Sequence, residues 1–175
     1  MTDTDELKRR AREAVEANRD AVTSLARDVR AEPELGFKEV ETERKVTEAF
    51  ESMGLDVETG LAITGVRARI GSGEPVLAVL GELDALVNPE HPEADPETGA
   101  CHACGHDAQL ANLVGTAYAF ATTDVLDHLD GSVELIAVPA EEYLDLEYRR
   151  GLVESGEIEF FGGKQELVRG GYLED

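Results

Sequence analysis

Apolar residues recur at helical spacing through the first thirty positions, at Leu7, Ala11, Ala14, Val15, Val22, Leu25, Ala26 and Val29. The pattern predicts one long amphipathic helix over residues 3 to about 31, with Thr2, Asp3 or Thr4 as its cap. AEPELGF ends it, because Pro33 disfavours helical geometry in the residue before it and Gly36 permits a turn. A second helix is expected over about 38–53, stopping at Gly54. The period then changes. GVRARI alternates apolar and charged residues, as a half-exposed strand does, and PVLAVLGEL is a short apolar run of the kind a buried strand shows. VNPEHPEADPETG is a surface loop by its proline, acid and glycine content. DAQLANLVGTAYAFATT then reads as an apolar helix, GSVELIAVP as another strand, and the last third as two short helices around IEFFGG. Strands alternating with helices over this length predict a single α/β domain.

Composition changes this picture in two ways. Hydrophobic residues make up 42% of the chain and are spread along it, so the high charge does not signal disorder. The 38 acidic residues against 16 basic ones, a net charge of −22, argue against nucleic acid as a partner, since phosphate binding begins with clustered Lys and Arg. Lys8, Lys38, Lys45 and Lys164 are the only lysines. An acidic, lysine-poor surface over an ordinary core fits a protein working in concentrated salt, with an acidic interaction surface as the alternative reading. No signal-peptide core and no membrane-length apolar run is present, so a cytoplasmic location without membrane contact is expected.

The candidate chemistry lies in two patches, CHACGHDAQ at 101–109 and VPAEEY at 138–143. Cys101 and Cys104 form a C-x-x-C that alone would suit a thioredoxin-like dithiol, but here it follows a long acidic loop, the wrong order of elements for that fold. Cys104 and His106 instead offer a thiolate and an imidazole, ligands for zinc and related divalent ions, with Gly105 free to bring both toward one ion. Glu141 and Glu142 supply a carboxylate that can bind metal and a neighbour that can handle protons. An isolated acidic pair in so acidic a chain would be solvated surface; coupled to the first patch, it becomes a candidate site.

EPELGFKEVET, ITGVRARI, GELDAL, CHACGHDAQ and VPAEE, in this order and spacing, resemble the metal-dependent amidohydrolases related to aminoacylases and carboxypeptidases, including the hydrolases of indole-acetyl-amino acids, hippurate and aminobenzoyl-glutamate. The resemblance implies a zinc-exopeptidase-like α/β sheet with helices on both faces, incomplete in this chain, and hydrolysis of an amide bond in an N-acyl amino acid using one or two divalent ions of zinc, manganese or cobalt. It implies Cys104, His106 and Glu142 as metal ligands, Glu141 as general base, and Asp84 as the carboxylate that orients a ligand, with Glu82 less securely placed. Asp107 is expected to cap the following helix or to support His106. His102 receives no role. Gln109 stands where many relatives carry a histidine, and no histidine follows His128, although the family's later metal-binding histidines do. Residues 1–175 therefore resemble the N-terminal half of such a catalytic domain, with the inserted dimerisation domain and the C-terminal part absent. A homodimer is implied for the full-length family, and a truncated, non-catalytic remnant is the alternative for this chain.

Overall fold

The computed structural model describes residues 3–173, so Thr2 as a helix cap lies outside the described residues. Helices α1 (Thr4–Ala17), α2 (Arg19–Ala31) and α3 (Val40–Ser52) precede the first strands. Asp3 caps α1 by accepting from the Asp5 amide at 3.3 Å. The single long helix expected over 3–31 is instead broken at Asn18, whose amide side chain donates to the Ala14 carbonyl at 2.8 Å. A short polar side chain competing for helix carbonyls is a local alternative to continuing the ladder. The turn at AEPELGF has a second use. Glu34 reaches back to accept from the Glu41 and Thr42 amides, at 3.1 and 2.8 Å, and so satisfies the free N–H groups that open α3.

Strands β1 (Val57–Leu61), β2 (Gly65–Ile70), β3 (Val76–Glu82) and β6 (Ser132–Val138) form one mixed sheet in the order β1-β2-β6-β3. β2 pairs antiparallel with β1 and β6, whereas β3 runs parallel to β6. Two-residue strands β4 (Leu86–Val87) and β5 (Ala100–Cys101) pair at the base of the acidic loop, which is on the surface as expected. PVLAVLGEL forms β3 but not a buried strand: it lies at the sheet edge, with Leu77 and Leu80 substantially exposed. An apolar run specifies a strand without specifying its place in the sheet.

Alternation decides the two faces. Val66, Ala68 and Ile70 of β2 and Val133, Leu135 and Ala137 of β6 join Leu25, Val29, Val46, Phe50, Leu110, Leu113 and Val114 in the main core. Helix α4 (His106–Ala121) is the inner helix of this layer, in contact with α1, α2, α3 and β3. Fully burying Phe50 or Leu135 contributes about 2 to 3 kcal/mol each. On the other face, Ile136, Val138 and Leu61 are covered by Leu167 of α6 (Gly163–Arg169), while α5 (Leu146–Ser155) packs Leu152 with Phe37, Ala140 and Ile158. Helices thus lie on both faces.

Because β3 and β6 are parallel with Glu82 opposite Val138, the segments leaving them emerge side by side. This places Asp84 next to Ala140–Glu142, and the N-terminus of α4 delivers Cys104 and His106 to the same end. Ligands in open α/β sheets gather at such carboxyl ends of strands.

Candidate metal centre

The acidic turn after β6 is held from three directions. Buried Glu39, at the start of α3, accepts from the Ala140 amide at 2.7 Å and from the Thr64 hydroxyl at 2.6 Å. Buried Asp84 accepts from the Glu142 amide through Oδ2 at 2.9 Å. The guanidinium of Arg149, also buried, donates to the carbonyls of Glu142 and Phe161. The carboxylates of Glu141 and Glu142 are therefore presented on a fixed backbone, with Ala140 in the left-handed region at φ 50°. Burial and the neighbouring Glu141 push Glu142 above the ordinary carboxylate range.

His106 opens α4, preceded by Gly105 at φ 91°, a conformation that glycine adopts without strain. Its Nδ1 faces the Asp84 carbonyl at 2.7 Å and lies 3.3 Å from Asp84 Oδ1. A carbonyl can only accept, so Nδ1 carries the proton and Nε2 is left to face Glu82 Oε2 at 2.8 Å and Glu141 Oε2 at 3.8 Å. Donor atoms of Cys104, His106 and Glu142 lie within 4.8 Å of one another, and so do those of Glu82, His106 and Glu141.

The lone pair of a neutral Nε2 and the oxygens of two carboxylates are all acceptors, and they are stable together only around positive charge. In the protein alone a second proton on His106 supplies it: burial opposes that charge, but hydrogen bonds with Asp84 and Cys104 prevail, and the group is raised to about 11. At the other cluster, of Cys104, His106 and Glu142, thiolate, imidazole and carboxylate are suitable donors for a divalent ion. Asp84 Oδ1, buried and 3.3 Å from Nδ1, adds negative potential beside the ring.

Every site residue named from sequence comes to this end of the sheet. Asp84 contacts both His106 and the backbone of Glu142, and Glu82, less securely placed by the sequence, is central. Glu82 receives hydrogen bonds from Gln109 Nε2 at 3.0 Å and from the Lys164 ammonium, as well as facing His106. Asp107 does neither of the things expected of it. It is buried against Arg30 of α2 at 2.8 Å, and Gly105 occupies the cap position. His102 is buried with both ring nitrogens unpartnered among the described residues, and burial lowers it to about 4, so it is neutral. Glu39, Arg149 and Lys164 were not legible as site residues; Glu39 lies in the quoted motif EPELGFKEVET, but nothing local marks the other two.

A mixed α/β sheet with helices on both faces thus carries sulfur, nitrogen and carboxylate donors where two parallel strands end. Residues 78–164 match the model of peptidase family M20/M25/M40, and the chain belongs to that family. It is 33% identical over 160 residues to the IAA-amino acid hydrolase ILR1-like 4 of Arabidopsis thaliana, covering 89% of this chain and 32% of that protein. It is 37% identical over 125 residues to the N-acetylcysteine deacetylase of Bacillus subtilis, covering 68% of this chain and 32% of that protein. Among solved structures it matches the Bacillus subtilis YXEP protein, described as a dinuclear metal binding peptidase, with a TM-score of 0.69 and 30% identity over 91% of this chain and 41% of that one. The chain thus spans about a third of the length of these curated relatives.

Proposed function

We propose that this chain is the N-terminal part of the catalytic domain of a metal-dependent amidohydrolase that releases an amino acid from an N-acyl amino acid. The observation that carries the reading is the convergence of Cys104, His106 and Glu142 within 4.8 Å, with Glu141 beside them. The relatives named for N-acetylcysteine and IAA-amino acid substrates support the substrate class. Cys104, His106 and Glu142 would hold the ion; the thiolate favours zinc, while the carboxylates also accept manganese or cobalt. A bound divalent ion polarises the scissile carbonyl and acidifies water.

The chain's own residues do the rest. Glu141 removes a proton from the attacking water as the new C–O bond forms. It then returns that proton to the amide nitrogen as the C–N bond breaks, releasing a carboxylic acid and a free amine. Asp84 fixes the ring and tautomer of His106 and anchors Glu142 through its amide. The inserted dimerisation domain and the remainder of the catalytic domain belong, in this reading, to segments outside the chain. The acidic, lysine-poor surface supports the reading of a protein that works in concentrated salt.

The test is turnover of N-acetyl amino acids in molar KCl by an intact enzyme that carries this chain as its N-terminal part, against a chelated control. We expect hydrolysis above the control, reduced by at least about 100-fold in Glu141→Gln with metal binding retained. Undiminished turnover in Glu141→Gln overturns the role of that residue. Hydrolysis above a metal-free control by the purified chain alone would overturn the alternative of a non-catalytic remnant.

A further inference from the structure

Beside the cluster of Cys104, His106 and Glu142 lies a second one, of Glu82, Glu141 and the same His106, and it already contains a cation. The Lys164 ammonium donates to Glu82 Oε1 and lies 3.6 Å from Glu141 Oε1. The lysine's own side chain is half-exposed, at 45%. The chain has only four lysines against 38 acidic residues, and this one sits on carboxylates with side-chain exposures of 11% for Glu82 and 36% for Glu141.

Its position is enforced by the backbone. Gly163 begins α6 so close to Pro139 that a Cβ there would collide with the Pro139 carbonyl, and its amide donates to the Ala140 carbonyl at 3.2 Å. α6 is thereby pressed onto the turn that presents Glu141, and Lys164, the next residue, spans the gap from Glu141 to Glu82. Gln109 and His106 occupy the other oxygen of Glu82. The negative charge of this second cluster is thus compensated from within the chain.

We propose that Lys164 is a built-in counterion that occupies the second cation position, so that the centre takes a single divalent ion, at Cys104, His106 and Glu142. The inference rests on the ligand assignment made above. Placing a second divalent ion between Glu82 and Glu141 would bring it against the Lys164 ammonium and cost it the carboxylate oxygen the ammonium holds. As a positioning residue, Lys164 also holds Glu141 near the ion.

The experiment is titration of the metal-free chain in molar KCl with Mn²⁺, followed by calorimetry and by electron paramagnetic resonance. Lys164→Met keeps the apolar stem and removes the charge; Lys164→Arg keeps the charge. Wild type and Lys164→Arg are expected to take one equivalent and to give the resolved hyperfine pattern of an isolated Mn²⁺ ion. Lys164→Met is expected to take a second equivalent at least tenfold more tightly than wild type, with a spectrum broadened by coupling between two ions. Circular dichroism checks that each variant is folded. Two equivalents in wild type, or a single equivalent of unchanged affinity in folded Lys164→Met, overturns the counterion proposal and leaves the ligand assignment standing. No ion bound by any of the three removes both, an outcome distinct from either of the others.

Discussion

Asp84 is the side chain on which the geometry of the centre converges, since its carbonyl sets the tautomer of His106 and its carboxylate holds the backbone of Glu142. Asp84→Asn keeps the shape and loses the charge behind the ring. It should lower the affinity for divalent metal by about 10- to 100-fold without unfolding the chain, read by calorimetry beside circular dichroism. An affinity within threefold of wild type contradicts its assigned part. Glu39 offers a separate test. Burial, only partly offset by hydrogen bonds from Thr64 and Ala140, raises it from 4.5 to about 7. Between those values the folded chain holds a proton that the unfolded chain has lost. The contribution to stability is therefore fully present below pH 4.5 and is lost as the pH rises through 7, by on the order of 3 kcal/mol. Glu39→Gln should flatten that slope, measured as urea midpoints at about pH 5 and pH 8 with the wild type alongside. An identical slope in the variant would show that Glu39 is not the titrating group.

Among the elements, α6 decides how close Lys164 comes to the acidic turn, and a paired glycine comparison tests it. Gly163→Ala introduces a Cβ into the Pro139 carbonyl, which must push α6 off the sheet and carry Leu167 away from Ile136 and Val138. We expect a loss of about 1 to 3 kcal/mol. Gly151, exposed in α5 with open space where its Cβ would lie, should respond in the opposite sense, with Gly151→Ala gaining about 0.5 to 1 kcal/mol. Thermal midpoints moving the same way for both would contradict this account of α6. The sequence reported elements better than their context. α3, α4, β2 and β6 follow from period and end signals, because each presents one clear face to the core. The break at Asn18 did not show, because the apolar repeat runs through it on both sides. Nor did β1, whose VETGL carries a charge and a glycine and stays exposed at three of its five positions. The edge position of β3 depends on what pairs with it, which no local pattern encodes.

At the scale of the whole molecule, the long-range contacts explain which site residues could be read in advance. Cys104 and His106 share a short motif, and Glu141 and Glu142 are adjacent, so chemistry and spacing expose them together. Lys164 meets Glu82 across 82 residues of sequence and Glu39 meets Ala140 across 101, and only the fold makes those pairs. The charge of −22 is also a whole-molecule property. Local pairs such as Arg9 with Glu13 and Arg44 with Glu48 add little stability against the self-repulsion it causes, being exposed. Raising KCl from about 0.1 to 2 M shortens the screening length from about 10 Å to below 3 Å, so the thermal midpoint should rise steadily over that range. A midpoint that is flat or falls with salt would remove the reading of the surface as an adaptation to concentrated salt.

The central claim is that Cys104, His106 and Glu142 hold one divalent ion, and cobalt tests it most directly because a thiolate ligand gives Co²⁺ a charge-transfer absorption that other donors do not. The account predicts that this band grows to one equivalent on titrating the chain with Co²⁺. It should be absent in Cys104→Ser, and in His106→Ala and Glu142→Ala the affinity should fall by at least tenfold. Cobalt bound equally well by Cys104→Ser, or bound by wild type without the thiolate band, would contradict it.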